Sequence, residues 1–289
     1  MNLQGTITAL ITPFSNGKVD YGKLKEIVEM QIEDGIDGLL PMGTTGESPT
    51  LSPKEHSKVI ETVINTTKGR CHVIAGTGAN ATVEAIELTQ RAKDAGADAS
   101  LQVTPYYNKP SQEGLYRHFS VVADETGIPI VLYNVPGRSG AEIAIDTVAR
   151  LARHTNVVAI KEAAGSVERV SQILDVCDLT VLSGDDSLTI PMMSVGAKGV
   201  ISVASNIIPA EIVRLVNSFK AGNIELAMEL HKKYYNFFKT IFIETNPVPV
   251  KAAMNLKGII EEEYRLPLCP MLDSNKELLK ESMKKIGLL

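Results

Sequence analysis

Eight short apolar runs punctuate the chain: TITALIT, GLLPM, HVIAG, ASLQVTP, IPIVLYNV, VVAIKEA, TVLSG and GVISVA. Each has the length of one buried strand. Between them lie longer stretches whose apolar residues recur every three or four positions. Leu24, Ile27, Val28 and Gln31 to Ile32 do so in DYGKLKEIVEMQIEDG, as do Val59, Val63 and Ile64 in SPKEHSKVIETVINTTKG. That spacing predicts helices with one apolar face. Asp20, Ser52, Asn80 and Ser166 stand where helices should begin, and Gly35, Gly69, Gly96 and Gly127 where they should stop. Strands alternating with helices at intervals of about 25 to 30 residues predict an α/β fold, a (β/α)8 TIM barrel. The alternative, a doubly wound open sheet, usually carries a glycine fingerprint after its first strand, and ITPFSNGKVD is not one. Beyond about residue 222 the strands cease. NIELAMELHKKYYNFFKTIF, PVKAAMNLKG and SNKELLKESMKKIG read as three helices, with YYNFF as a packing cluster. The expected organisation is a barrel over residues 1–222, which carries the active site, and a helical appendage over 223–289.

Composition narrows the class. At 289 residues and 44% hydrophobic the chain can bury a large core, and a net charge of −5 gives no basic face for a nucleic acid. No apolar run reaches the length of a membrane span, and MNLQGTITALITPF reads as a first strand rather than a leader. Cys71, Cys177 and Cys269 are odd in number and lack paired metal spacing, as expected of a reducing, cytoplasmic setting. The five histidines show no ligand spacing. Asp185 and Asp186 are adjacent and so point apart, which fits turn and helix-cap duty better than a metal pair. No metal or cofactor is expected.

In such barrels the reactive groups come from the C-terminal ends of the strands and the loops that follow. Those ends carry GTTGES after the second strand, TPYYNKP after the fourth and YNVPGRSG after the fifth. Lys161 closes the sixth, SGDDS follows the seventh and SVASN the eighth. Lys161 is the odd residue, an ammonium at the end of an apolar lead-in. It either snorkels to the rim, pairing with Glu162 or an acid on a neighbouring strand, or serves as a nucleophile. A partly desolvated amine has a lowered pKa and attacks a carbonyl to form an imine. Imine formation needs a proton shuttle, and Tyr133, Tyr107 and Thr44 supply hydroxyls for one. Gly43 and Gly46 flank Thr44 and Thr45, so backbone N–H groups can approach a carboxylate. A phosphate loop is the rival reading, against which GTTGE lacks the lysine of such loops and Glu47 would repel a phosphate. Arg138 offers a planar fork of donors suited to a second carboxylate, or to a surface ion pair.

GTTGES, YNVPGRSG and VVAIKEA, in this order and at these separations, resemble the dihydrodipicolinate synthase and N-acetylneuraminate lyase superfamily over essentially the whole chain. The resemblance implies a Schiff-base aldolase that uses pyruvate. Lys161 would form the imine, while Tyr133, Thr44 and Tyr107 relay protons. Thr45 would hold the pyruvate carboxylate, and Gly184 and Ile201 would contribute backbone contacts near the lysine. Arg138 would hold the carboxylate of aspartate 4-semialdehyde, a short acidic aldehyde, where the sugar-acid lyases generally place an uncharged residue. Tyr107 would reach a neighbouring subunit's site, making a tight dimer, and two dimers a homotetramer. An inhibitory L-lysine site would comprise Ser48, Pro49, His56, Asn80, Glu84 and Tyr106, with Pro53 a departure from some lysine-sensitive members. His56 and Glu84 otherwise read as ordinary polar helix positions. Two rivals remain open: a sibling lyase that releases pyruvate from a sugar acid, and a catalytically silent barrel that senses lysine.

Overall fold

The computed structural model describes residues 3–289. Eight parallel strands close on themselves: β1 Gly5–Ala9, β2 Gly38–Leu40, β3 His72–Gly76, β4 Ala99–Val103, β5 Ile130–Asn134, β6 Val157–Glu162, β7 Thr180–Ser183 and β8 Gly199–Ser202. They follow one another around the barrel in chain order, and β8 returns to pair with β1. All eight expected strands are present. Closure brings two glycines together: a side chain at Gly199 (φ +154°) would strike the Gly5 carbonyl oxygen at 1.9 Å, so the seam admits none.

The eight outer helices are α1 Tyr21–Glu33, α2 Pro53–Thr67, α3 Thr82–Ala95, α4 Gln112–Thr126, α5 Ile145–Leu151, α6 Val167–Val176, α7 Thr189–Ser194 and α8 Pro209–Lys220. Asp20 and Ser52 cap α1 and α2 with their side chains, and Ser52 completes a capping box with Glu55. Two expected caps differ. Ala81, not Asn80, is the N-cap of α3, and the Asn80 amide bonds to the Tyr106 carbonyl instead; Ser166 makes no side-chain cap bond. A hairpin, Phe14–Ser15 with Lys18–Val19, follows β1 and turns at Asn16–Gly17, both at positive φ. The Asn-Gly pair is its sequence signal.

Strand alternation splits the core in two. Ile7, Leu40, Ile74, Leu101, Val131, Ala159, Leu182 and Ile201 fill the barrel interior, while Leu39, Val73, Leu132, Ile160, Val181 and Val200 face the helices. Three further helices, α9 Ile224–Thr240, α10 Val248–Leu256 and α11 Asp273–Lys285, follow without an intervening strand. α9 packs on α8 and α11, and α10 packs on the turn after β8. Tyr234, Phe237 and Phe238 are buried in this layer, as expected of the YYNFF cluster. Among the described residues no helix is long and apolar enough to cross a membrane.

Candidate active site

Lys161 and Tyr133 meet because their strands are in register. β5 and β6 pair Tyr133 with Lys161 and Asn134 with Glu162. Alternation then sends Tyr133 and Lys161 into the barrel, and Asn134 and Glu162 to its outer side. The Lys161 ammonium lies 4.4 Å from the centre of the Tyr133 ring, and its side chain is 6% exposed at the barrel mouth. Glu162 is not its partner. It is fully buried, receives both its oxygens' bonds from Asn134 Nδ2 (3.0 and 3.1 Å), and accepts from Ala164 N (2.9 Å) and Arg169 Nε (3.1 Å). Burial raises its carboxyl above the usual range, with the Arg169 charge opposing. Arg169 is held in turn by Glu142 and by the Ile143 carbonyl. Among the described residues Lys161 forms no ion pair, and its acidic neighbour Glu162 serves the strand pair from behind.

A 3-10 turn over Thr44–Gly46 follows β2. Its own bonds engage the N–H groups of Gly46 and Glu47, leaving those of Thr44 and Thr45 without a partner inside the turn. Thr45 is buried, and its hydroxyl accepts from Asn246 Nδ2 at 3.0 Å. Arg138 stands on the one-turn helix Pro136–Ser139 after β5 and is exposed toward the mouth. Its Nη2 donates to the Asn246 carbonyl at 3.3 Å. Asn246 thus joins Thr45 to Arg138, a role its sequence context gave no sign of.

Gly184 follows β7 and donates its N–H to the Glu162 carbonyl at 2.7 Å. A side chain there would meet Ala163 Cβ at 2.5 Å, so only glycine lets the two strand ends approach. Ile201 is buried in the barrel interior on β8. Asp186 behaves as a turn residue, accepting from Ser202 Oγ and from the N–H groups of Val203 and Ala204. Asp185 takes the N-cap position of the 3-10 turn Asp186–Leu188, where its carbonyl, not its side chain, accepts from Leu188 N and Ser183 Oγ. Burial raises its carboxyl, with the charges of Lys161 and Lys239 opposing. Among the described residues no cluster of three or more His, Cys, Asp or Glu could hold a metal ion.

One cavity of about 450 Å³ opens between these loops. Thr44, Tyr133 and Arg138 line it, and so do Ser48, Pro49, His56, Glu84 and Tyr106. Asn80 does not line it but donates to the carbonyl of Tyr106, which does. His56 Nε2 lies 3.0 Å from the Gly76 carbonyl, and burial pushes its imidazolium down to about 4. Tyr107 is the outlier. It is 91% exposed at a positive φ of 72° and is not among the residues that line this cavity.

A closed parallel barrel with a sheltered strand-end lysine against a tyrosine is the framework of a Schiff-base aldolase. Comparison with known proteins gives the family. The model of the dihydrodipicolinate synthetase family matches residues 2–286, and the chain belongs to that family. A 4-hydroxy-tetrahydrodipicolinate synthase of Hydrogenobaculum sp. is 53% identical over 289 residues, 99% of this chain and 100% of the relative. The chloride-inhibited dihydrodipicolinate synthase of Acinetobacter baumannii, solved with pyruvate, superposes with a TM-score of 0.97 at 44% identity, covering 100% of both chains. The enzyme of Cyanidioschyzon merolae, solved with lysine bound, gives 0.96 at 41% identity, covering 99% of each.

Proposed function

We propose that the protein condenses pyruvate with L-aspartate 4-semialdehyde to give 4-hydroxy-tetrahydrodipicolinate, on the route to diaminopimelate and lysine. The observation that carries this reading is the buried Lys161 ammonium over the ring of Tyr133, which lines the same cavity as Thr44 and Arg138. The Lys161 amine adds to the keto carbon, and loss of water from the carbinolamine leaves a protonated imine. That imine draws electrons, so the adjacent methyl loses a proton and becomes an enamine. The enamine carbon attacks the aldehyde. The amino group of the semialdehyde then displaces Lys161 from the imine carbon, which closes the ring and frees the lysine. Tyr133 relays the protons, with Thr44 and Tyr107 completing the chain. Thr45 and the turn's N–H groups receive the pyruvate carboxylate, Arg138 the carboxylate of the semialdehyde, and Gly184 and Ile201 contact the adduct through their backbones.

Arg138 selects the aldehyde. Arg138→Ala should raise the KM for the semialdehyde roughly 10- to 100-fold, the worth of a charge-assisted pair, and leave pyruvate use nearly unchanged. Loss of pyruvate binding with intact aldehyde use would contradict the assignment. Faster turnover of a sugar acid than of the semialdehyde would favour the sibling lyase.

The same reading places a cytoplasmic homotetramer, a dimer of dimers, in which Tyr107 enters the partner's site. L-lysine would bind in the same cavity. There Glu84 faces its ammonium, and Asn80 and Tyr106 its carboxylate, with Ser48, Pro49 and His56 as walls. Pro53 lines the cavity too. An inhibition curve flat to millimolar lysine would remove that part of the reading.

A further inference from the structure

Glu47 directly follows the turn assigned above to the keto acid's carboxylate. It sits in left-handed backbone (φ 54°) and is 1% exposed. Its partner is Lys251 on α10, itself fully buried, with Nζ 2.6 Å from Glu47 Oε1. The Arg265 N–H donates to the other oxygen at 3.4 Å. The Phe14 ring covers the ammonium at 4.2 Å, and the Tyr264 ring lies at 5.3 Å. Burial pushes Lys251 below the usual lysine range, with the Glu47 charge opposing. Such a pair is a poor source of stability, because desolvating two charges offsets most of their attraction and apolar residues of equal size do as well. What the pair does supply is a fixed position, since among the described residues neither charge has another partner of opposite sign within bonding distance.

The segment that carries Lys251 touches the turn a second time. Asn246, which precedes α10, donates to Thr45 Oγ1 at 3.0 Å. The C-terminal helices therefore grip the turn at Thr45 and at Glu47, on either side of Gly46. Thr12 Oγ1 donates to the Gly46 carbonyl between them at 2.7 Å. A turn flanked by Gly43 and Gly46 has little stiffness of its own, and these contacts provide it.

We propose that Glu47 and Lys251 are positioning residues for the keto-acid end of the site, fixing the Thr44–Gly46 turn so that it meets the carboxylate already ordered. The inference rests on assigning that turn to the keto acid. Neither residue touches substrate, and both act through the turn, so their effect falls on pyruvate capture rather than on chemistry with the aldehyde.

The test is the double variant Glu47→Gln/Lys251→Met, which preserves volume and leaves no lone buried charge. Pyruvate half-saturation is measured by borohydride trapping over a concentration series, beside KM for both substrates and the melting temperature. A folded double variant should need at least ~10-fold more pyruvate in both assays, with KM for the semialdehyde within about twofold of the unaltered protein. A folded variant with unchanged pyruvate half-saturation would overturn the proposal and reduce the pair to scaffold. Should the double variant not fold, Glu47→Asp keeps the charges and displaces the turn by one methylene. The same pyruvate-selective rise is expected of it, and a normal half-saturation overturns the proposal. Failure of the unaltered protein to form any Lys161 adduct is a different result, which rejects the Schiff-base reading itself.

Discussion

Lys161 and Glu162 are consecutive, yet one faces the barrel mouth and the other lies sealed behind it. An apolar run ending in lysine is visible in a sequence, and the strand period tells which of two neighbours turns inward. What the period cannot tell is that Arg169, seven residues on, comes back to hold Glu162. Buried histidines show the same limit. His118 lies on α4 with Nδ1 2.9 Å from Thr82 Oγ1 and Nε2 unpartnered, and burial pushes its imidazolium from 6.5 down to about 4. The unfolded chain takes up that proton first, so stability is complete above the ordinary histidine value and falls as the pH drops from about 6.5 toward 4. The loss is on the order of 3 kcal/mol for this one residue. Denaturant midpoints at pH 7 and pH 4.5 should lie closer together in His118→Gln than in the unaltered protein. An unchanged separation would show that His118 does not drive the acid sensitivity.

At the scale of elements, the β5–β6 pair is the structural unit of the site. Its register is fixed from the outer side by Asn134, Glu162 and Arg169, and Tyr133 and Lys161 are aligned as a consequence. Glu162→Ala leaves Asn134 and Arg169 without their buried acceptor, and unfolding in denaturant should show a loss of roughly 3 kcal/mol. A loss below about 0.5 kcal/mol, the range of ordinary surface changes, would mean that the pair is held by its ladder alone. The strands and helices themselves were legible, because each repeats a local period over many residues. The hairpin at Asn16–Gly17 was missed although its turn signal is present, since a two-residue strand carries no period to notice. The contacts from Asn246 to Thr45 and from Lys251 to Glu47 span 201 and 204 residues, and no local spacing reports them.

For the whole molecule, the cavity lined within one chain lacks Tyr107, which has 91% of its surface exposed. Under the proposed dimer, mixing two inactive variants restores activity. Lys161→Ala and Tyr107→Ala subunits combined in one dimer yield one intact site, built from the Lys161 of the second and the Tyr107 of the first. If Tyr107 served its own chain, no site would be intact and the mixture would stay inactive. The family resemblance suggested this arrangement; the exposure of the side chain is the physical reason to test it. The most direct trial of the whole account is covalent. The protein is incubated with pyruvate, reduced with borohydride, digested and mapped by mass. The account predicts a pyruvyl adduct on Lys161 and nowhere else, with parallel loss of activity. An adduct on another lysine, or none in protein that condenses the two substrates at full rate, would contradict it.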